Sequence, residues 1–337
     1  TKEYAFKINN IKNLNPIQLI ISKSINNWSN LENKNYLQAE NSLKKIDPRF
    51  ENLKKIQLAF LNCYYDTELV KEKFKLLTEN KDLDFSRYKY FYSNYLISKN
   101  EISSAKKVLN EALNLNPRNL ILNQLKADLN SKKQTYADKF DCKEISNAIS
   151  EIFYVISNAL SSQSIFMASN YYLNLAKYLN PEFTSYEALY AENIMVADRY
   201  MEAKKIFNSI KKKGVSYGWF ATKRLAFILE KQNDKEASIK LVTKDFEKIL
   251  NPDVYIIFDF AEFLKNNEKF EKSIEYYSKA LSMINKTHPL YHEIMDGRGI
   301  SYERAGEWKK AENDLLNSLK SMPDQAYVIN YLAYSWI

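Results

Sequence analysis

The chain has 337 residues, of which 45% are hydrophobic and 27% are charged, and its formal net charge is +8. With 5 glycines and 7 prolines, it has too few turn-forming residues for an all-β protein with many tight turns. No apolar run reaches the length that predicts a membrane span, and the lysines are scattered among acidic residues, which favours a solvated surface over a lipid or nucleic-acid site.

Six of the seven prolines recur at regular distances along the chain. The gaps between them are 32, 69, 64, 71 and 71 residues, which are one or two multiples of about 34, the length of a tetratricopeptide (TPR) unit. Proline lacks the amide hydrogen that a helix interior requires and restricts the residue before it, so each proline is expected to separate two helices. Four of them close the tripeptide Leu-Asn-Pro, ending at Pro16, Pro117, Pro181 and Pro252.

Five segments match the TPR pattern of large and small positions, and three more are degenerate, of which 49–81 reads as a helix pair by periodicity alone. In this pattern, small residues stand where the two helices of a hairpin approach closely, and large side chains fill the surrounding space. We therefore predict an all-α TPR solenoid of about nine helical pairs, stacked into a right-handed superhelix. The regular segments are 86–119, 150–183, 184–217, 254–287 and 292–325, and the degenerate ones are 20–48, 49–81 and 217–250.

The repeats predict three regions along the chain. Residues 1–130 carry N-terminal repeats that are partly degenerate, 131–145 form an irregular connection because their apolar periodicity is weak, and 146–337 carry the C-terminal repeats. Residues 4–14 predict the second helix of a pair without a first, and 326–337 predict a first helix without a second. Because an uncapped array exposes its apolar layer, we expect the chain to be a fragment of a longer array.

Two stretches carry a resemblance to a known family. Residues 152–181 contain the elements SNAL and YYLNLAKYLNP, and residues 307–336 contain EWKKAE and the closing stretch PDQAYVINYLAYSW. These elements resemble an uncharacterised bacterial TPR family that is common in alphaproteobacteria. In that family the closing stretch usually reads like NYLGYSW, so Ala333 stands here where glycine is usual.

The resemblance covers most of the chain, best from residue 150 onward, and implies an interaction protein whose pattern contains no catalytic residues. Family members are often exported and are distantly similar to an envelope TPR lipoprotein that serves as adaptor to a periplasmic processing protease. The resemblance alone therefore favours the periplasm or cell envelope over the cytoplasm, and a role in envelope assembly or proteolysis. No charged and apolar leader follows Thr1, so we expect any signal peptide to be absent from this chain.

Residues that commonly carry catalysis or bind metals are few. His288 and His292 are four residues apart, but Pro289 places His288 at or before a helix start, which disfavours a shared metal site. Cys63 and Cys142 lack metal-ligand spacing, and we expect both to be unpaired, with a disulfide between them as the alternative. The sequence thus predicts no catalytic residues, no metal and no cofactor.

The first helix of each TPR hairpin is expected to line a groove for a partner. Asparagine in such a groove can bond the amide and carbonyl of an extended peptide, and aromatic residues add contact area. The predicted groove changes from Arg87 at one end to Glu293 and Asp296 at the other, which favours a basic partner segment near the C-terminal repeats. The predicted groove residues are Arg87, Tyr90, Asn94, Tyr154, Asn158, Glu192, Tyr255, Phe258, Glu262, Glu293 and Asp296.

These features together predict a non-catalytic scaffold or adaptor that binds a peptide or partner protein and has no small-molecule substrate. One alternative, suggested by the basic charge, is a nucleic-acid-binding helical-repeat protein. Such proteins carry a continuous basic stripe, whereas the predicted groove becomes acidic, so nucleic acid is the less favoured partner. Another alternative is the helical-repeat part of a larger enzyme whose catalytic domain lies outside this chain.

Overall fold

The computed structural model describes residues 14–31, 35–79, 85–131 and 136–335, which fold into 18 α-helices without a strand. Helices make up more than two-thirds of the sequence, so the prediction of an all-α fold is confirmed. The helix predicted over residues 4–14 falls almost entirely outside the described residues. In chain order the helices are α1 (Pro16–Ser29), α2 (Tyr36–Lys44), α3 (Glu51–Tyr65), α4 (Val70–Thr78), α5 (Ser86–Ser98), α6 (Ile102–Leu115), α7 (Leu120–Asn130), α8 (Ile145–Ser162), α9 (Phe166–Leu179), α10 (Thr184–Val196), α11 (Tyr200–Ile210), α12 (Val215–Lys231), α13 (Lys235–Phe246), α14 (Val254–Asn266), α15 (Phe270–Ser282), α16 (Tyr291–Arg304), α17 (Trp308–Ser321) and α18 (Ala326–Ser335).

The Leu-Asn-Pro tripeptides mark helix boundaries, as predicted. Pro16 is the first residue of α1, where its missing amide hydrogen costs no helical bond. Asn15 Oδ1 accepts from the Gln18 amide at 2.8 Å, and Gln18 Oε1 accepts from the Asn15 amide at 3.1 Å, which together form a capping box. Pro117 and Pro181 instead stand just after the C-cap residues of α6 and α9. The same tripeptide therefore opens one helix and closes others.

Helix pairs form hairpins whose close contacts are made by small residues. In the α8–α9 hairpin, Ser169 Oγ donates to the Ser157 carbonyl oxygen at 2.8 Å, and both residues are fully buried. In the α16–α17 hairpin, a Cβ on Gly299 would lie only 2.9 Å from Leu315 Cγ and 3.3 Å from the Ala311 carbonyl oxygen. A larger residue at either place would force the helices apart, which is the packing role that the TPR pattern predicts.

Most hairpins share one turn conformation. A single residue after the first helix has a positive φ, and the next amide donates to the carbonyl five residues earlier, as in the bond of 2.9 Å from Glu101 N to Leu96 O. This is a Schellman motif, which satisfies carbonyls at the end of the first helix. The residues with positive φ in these turns are Asp66, Asn100, Ser164, Asp198, Asn233, Glu268 and Gly306.

The turn at Glu268 predicts a stabilising substitution. Its φ is 62°, a left-handed conformation that costs a residue with a Cβ about 1–2 kcal/mol, and its side chain is exposed. Glycine avoids this cost but loses more conformational entropy on folding. Glu268→Gly should therefore raise the free energy of unfolding by a net of about 0.5–1 kcal/mol. Gly306→Ala is the matched reverse change, because φ is 81° and a Cβ there would meet no atom within 4 Å. The urea midpoint should rise for Glu268→Gly and fall for Gly306→Ala. Midpoints that both rise or both fall would contradict this account of the turns.

The chain divides into two compact units, residues 1–221 (unit 1) and residues 222–337 (unit 2). In unit 1 a continuous core of buried apolar residues extends from Ile20 to Tyr186. In unit 2, Leu315, Val328 and Leu332 form a buried cluster at the packing of α17 and α18. The boundary between the units lies inside α12.

A non-helical stretch, residues 136–144, separates α7 from α8 and belongs to unit 1. We call it the inserted segment. It lies within the region that the sequence predicts to be an irregular connection. Asp138 and Phe140 are buried in it, so it packs into the unit instead of running over its surface. No helix in the described part of the chain is long and apolar enough to cross a membrane.

Candidate polypeptide-binding site

Side chains of α5 hold the backbone of the inserted segment. Tyr90 Oη donates to the Asp138 carbonyl oxygen at 2.7 Å, and Asn94 Nδ2 donates to the Phe140 carbonyl oxygen. Tyr90 and Asn94 are four residues apart and so share one face of α5, while groups two residues apart in an extended chain point to the same side. Both were predicted to line a groove in which asparagine holds a polypeptide backbone. Here the bound backbone belongs to the chain itself.

The opposite edge of the inserted segment is bonded to the turn before α10. The Lys139 amide donates to the Glu182 carbonyl oxygen at 3.0 Å, and the Lys139 carbonyl oxygen accepts from Asn180 Nδ2 at 2.9 Å. Asp138 and Phe183 form an isolated antiparallel β-bridge. The carbonyls of residues 138, 139 and 140 therefore all accept hydrogen bonds, on two sides. This is how a binding site holds an extended polypeptide largely through its main chain.

Phe140 anchors the inserted segment in an aromatic pocket. Its ring centroid lies 4.5 Å from that of Phe91, 5.0 Å from that of Phe60 and 6.1 Å from that of Phe183. The three partners come from α5, from α3 and from the turn before α10, so the pocket exists only where these elements meet. Only 8% of Phe140 is exposed. An aromatic ring buried in this way supplies most of the binding energy of a short segment.

Asp138 adds a polar anchor two residues before Phe140. Its Oδ1 accepts from the Ser185 amide at 3.0 Å, in the first turn of α10, and its Oδ2 accepts from Tyr217 Oη at 2.8 Å. Burial raises the pKa of Asp138 to about 6, and the hydrogen bonds from Tyr217 and Ser185 oppose that shift. The amide hydrogens at the start of a helix favour a carboxylate, so this pocket is built for an acidic side chain.

A disulfide fixes the end of the inserted segment. Cys63 on α3 is bonded to Cys142, with the two Cα atoms 5.9 Å apart and a sequence separation of 79. The expectation that both cysteines are unpaired was wrong, and the alternative holds. Each cysteine lies in a different element, and only the folded chain brings them together. Sequence spacing gave no sign of the pairing because a helical array does not require one.

Arg87, predicted at the basic end of the groove, forms an ion pair inside the protein. Its guanidinium forms two hydrogen bonds of 2.8 and 2.9 Å with the carboxylate of Glu151, which is fully buried. Arg87 also lies 3.6 Å from the ring centroid of Tyr154 and donates to Ser185 Oγ. The Glu151 carboxylate further accepts from Tyr186 Oη at 3.0 Å. This network ties α5, α8 and α10 together beside the inserted segment.

Unit 2 carries acidic residues on α14 and α16. Glu262 on α14 accepts from Tyr277 Oη and from Lys265 Nζ, the latter at 2.9 Å. Asp296 on α16 is only 7% exposed, and its Oδ2 accepts from Tyr327 Oη. Among the described residues, Asp296 Oδ1 has no hydrogen-bond partner. Burial raises the pKa of Asp296 to about 7, with the nearby Lys265 opposing the shift and Glu262 adding to it.

The raised pKa of Asp296 predicts a pH dependence of stability. The unfolded carboxyl has a pKa of about 3.9, so between about pH 4 and pH 7 the folded state binds more protons than the unfolded state. The free energy of unfolding should therefore fall as the pH rises through this window, by roughly 2–4 kcal/mol. Thermal melting of the wild type and of Asp296→Asn across these pH values would test this. The variant should show a smaller fall and keep the part between about pH 4 and pH 6 that Asp138 contributes through its own raised pKa. Equal slopes for both proteins would contradict the assignment to Asp296.

The other predicted groove residues differ in how accessible they are. Asn158 and Glu293 are exposed, whereas Tyr154, Glu192 and Tyr255 are half-buried. Tyr90 and Phe258 lie in the core, and they offer a partner little surface. For all of these residues, contact with a separate partner stays a prediction. The binding of the inserted segment was not predicted, although Tyr136, Asp138 and Phe140 stand at every second position, as in an extended segment with one side buried.

Two clefts flank the inserted segment. One, of about 420 Å³, is lined by Asn94, Lys139 and Asn180, together with neighbouring residues of the segment. The other, of about 290 Å³, is lined by Phe74, Tyr95 and the disulfide Cys63–Cys142. The inserted segment therefore does not fill the space between the helices on either side of it.

The histidines do not form a site with each other. His288 precedes α16, and its Nδ1 accepts from the Leu290 amide at 3.2 Å, so it serves the turn into the helix. His292 lies inside α16, beyond Pro289, as the sequence indicates. Across the described ranges, no group of three histidine, cysteine, aspartate or glutamate side chains is arranged to hold a metal ion.

The helical hairpins, their small contact residues and their repeated turns define a TPR-like fold. No family model and no curated protein matches the chain. Among solved structures, it is similar to the apo quorum sensor NprR from B. thuringiensis, with 14% identity, a TM-score of 0.46, and coverage of 86% of this chain and 83% of that one. It is also similar to a tetratricopeptide repeat protein from Parabacteroides merdae, with 11% identity, a TM-score of 0.40, and coverage of 85% and 100%. A third similar structure is YrrB, described as a TPR protein with an unusual peptide-binding site, with 17% identity, a TM-score of 0.38, and coverage of 54% and 91%.

Proposed function

We propose that this protein is a non-catalytic interaction scaffold that binds an extended polypeptide segment of a partner. One observation carries the proposal: Tyr90 and Asn94, on one face of α5, hold the carbonyls of Asp138 and Phe140. These side chains bond main-chain groups that every polypeptide has, so the same chemistry can hold a segment of another protein. The contact of Asn94 with a main-chain carbonyl of the chain itself supports the proposal that asparagine on the first helix of a hairpin holds a partner's backbone.

In unit 2 the proposal favours a basic partner segment. Glu262, Glu293 and Asp296 place carboxyl groups on α14 and α16, and Tyr255 is half-buried on α14. A lysine or arginine side chain of the partner would pair with the carboxylate of Glu293, which is exposed, whereas Asp296 is buried beside it. An aromatic ring that becomes covered on binding should contribute more to affinity than a charge at the rim.

Binding of a labelled lysine-rich peptide, compared with a glutamate-rich peptide of equal length, tests this proposal by fluorescence polarisation. The lysine-rich peptide should bind more tightly, and Tyr255→Ala should weaken it by about 1–3 kcal/mol. Glu293→Gln should mainly slow association and reduce its salt dependence, because this side chain is exposed. Tyr178→Ala on α9 is the control, since Tyr178 is 84% exposed and lies in unit 1. Equal binding of both peptides would contradict the acidic site.

The compartment that we propose is oxidising, such as the bacterial periplasm or cell envelope. The Cys63–Cys142 disulfide supports this, because such bonds persist in oxidising compartments and are rare in the cytosol. Alkylation of protein taken directly from cells, with and without prior reduction, measures the state of the two thiols. Two thiols that react without reduction would contradict the proposed compartment.

The nucleic-acid alternative has a separate test. A helical-repeat protein that binds RNA or DNA releases counterions, so its affinity falls steeply as salt increases. We expect no mobility shift of a single-stranded RNA or DNA probe at physiological salt. A tight complex with a steep salt dependence would favour the alternative over the scaffold.

A further inference from the structure

The inserted segment has the properties of a ligand seated in a groove. Its backbone is held by side chains of α5 on one edge and by residues 180–183 on the other, and Phe140 fills an aromatic pocket made by other elements. Clefts of about 420 and 290 Å³ lie on its two sides. Connecting segments usually run over the protein surface, whereas this one is buried at Asp138 and Phe140 and is bonded to two elements.

We propose that this groove of unit 1 is a binding site for an extended partner segment in which an acidic residue precedes an aromatic residue by two positions. In this structure, residues 138–140 occupy the site as an internal competitor, and the disulfide keeps them there. The inference rests on the proposed function and deepens it, because it names the segment that the scaffold recognises and the condition under which the site opens.

The recognition chemistry is read from the contacts of Asp138 and Phe140. An acidic side chain accepts hydrogen bonds from the Ser185 amide and from Tyr217 Oη. An aromatic side chain two residues later enters the pocket beside Phe91. The residue between them is unrestricted, because the Lys139 side chain is exposed and pairs with exposed Glu182. Main-chain bonds from Asn94 and Asn180 position the segment without selecting its sequence.

The disulfide determines how strongly the internal segment competes. Cys142 is two residues beyond Phe140, so its bond to Cys63 on α3 keeps the ring close to its pocket. A tether of this kind gives the internal segment a high effective concentration, which a free partner cannot match. Without it, the inserted segment can move away, and a partner ring can fill the pocket that Phe140 leaves.

Opening the tether requires a dithiol reductant. One thiolate of the reductant attacks Cys142 Sγ, which is the more accessible sulfur, and the bond to Cys63 Sγ breaks to release a thiolate that takes a proton. The second thiol of the reductant then attacks the mixed disulfide. Cys142 leaves as a thiol, and the reductant becomes a disulfide. Two electrons and two protons pass from the reductant to the protein.

The test uses a labelled peptide with the sequence of residues 136–144 in which serine replaces the cysteine. Its binding is measured to the full chain in three forms: oxidised, reduced with a dithiol, and Cys63→Ser/Cys142→Ser. The reduced and serine forms should bind at least about tenfold more tightly than the oxidised form, because the internal segment is then held near the pocket by the chain alone. Peptides with alanine in place of the first aspartate or of the phenylalanine should bind weakly to every form.

A second variant distinguishes release of the inserted segment from loss of the fold. Phe140→Ala leaves the disulfide in place but removes the internal anchor, so it too should bind the peptide more tightly than the oxidised wild type. Circular dichroism monitors helix content, and hydrogen exchange at the Lys139 amide should speed up on reduction while the helices stay protected. Equal peptide affinity in all forms would overturn the competition, and no binding to any form would overturn the site. Loss of lysine-rich peptide binding would instead count against the acidic site of unit 2, and the two failures are therefore distinguishable.

Discussion

Arg87→Met should lower the free energy of unfolding of unit 1 by about 3–5 kcal/mol. Methionine fills much of the same volume but loses the cation–π contact with the Tyr154 ring, and it leaves the Glu151 carboxylate buried without its partner cation. An uncompensated buried charge is among the costliest single changes in a protein interior. Urea denaturation followed by circular dichroism would measure the loss, with the transition of unit 1 shifting to lower urea.

Two further variants separate charge from packing. Arg87→Met/Glu151→Gln removes both charges and keeps an oxygen that accepts from Tyr186, so it should recover a large part of the lost stability. Arg199→Met breaks a solvent-exposed pair with Glu202 and should change stability little. If the double variant is no more stable than Arg87→Met, the loss comes from packing and the electrostatic account is wrong.

Removing the disulfide should be the other large effect. Cys63→Ser opens a loop of 79 residues, and chain entropy predicts a loss of roughly 2–5 kcal/mol in the free energy of unfolding. The unfolded chain gains most of the freedom, so the effect should appear as a lower melting temperature with the helix content unchanged at low temperature. Calorimetry of the wild type and the variant, each with and without reductant, would measure it.

The reductant supplies an internal control for this prediction. It should destabilise the wild type and leave Cys63→Ser unchanged, because the variant has no bond to reduce. Hydrogen exchange should show faster opening around α3 and the inserted segment, both within unit 1. Equal sensitivity of both proteins to the reductant would mean that another effect of the reductant is responsible.

Local chemistry in the sequence was sufficient to predict the helices and their boundaries. Pro16 and Pro117 cannot lie in a helix interior, and the period of about 34 residues between such prolines identifies hairpins. Small residues such as Ser157 and Gly299 stand where the helices meet, as the pattern requires. These signals depend on neighbours within one repeat, so they can be read without knowledge of the tertiary fold.

The groove residues show where this local information ends. Arg87, Tyr90 and Asn94 were predicted on one exposed face, yet Arg87 pairs with Glu151 and the other two hold the inserted segment. Their partners lie 46 or more residues away in sequence, and a helical pattern carries no information on such distant contacts. Asn94 donates to a main-chain carbonyl, but that carbonyl belongs to the chain itself, so contact of Asn94 with a separate partner stays a prediction.

The sequence by itself therefore determined the all-α repeat architecture, because propensity, capping and repeat length act over short distances along the chain. Only the tertiary structure decided that Cys63 is bonded to Cys142 and that Asp138 and Phe140 occupy the site on α5. These contacts arise where α3, α5 and the turn before α10 meet around residues 136–144. Their energy comes from burial and from hydrogen bonds between segments that are adjacent only once the repeats have stacked.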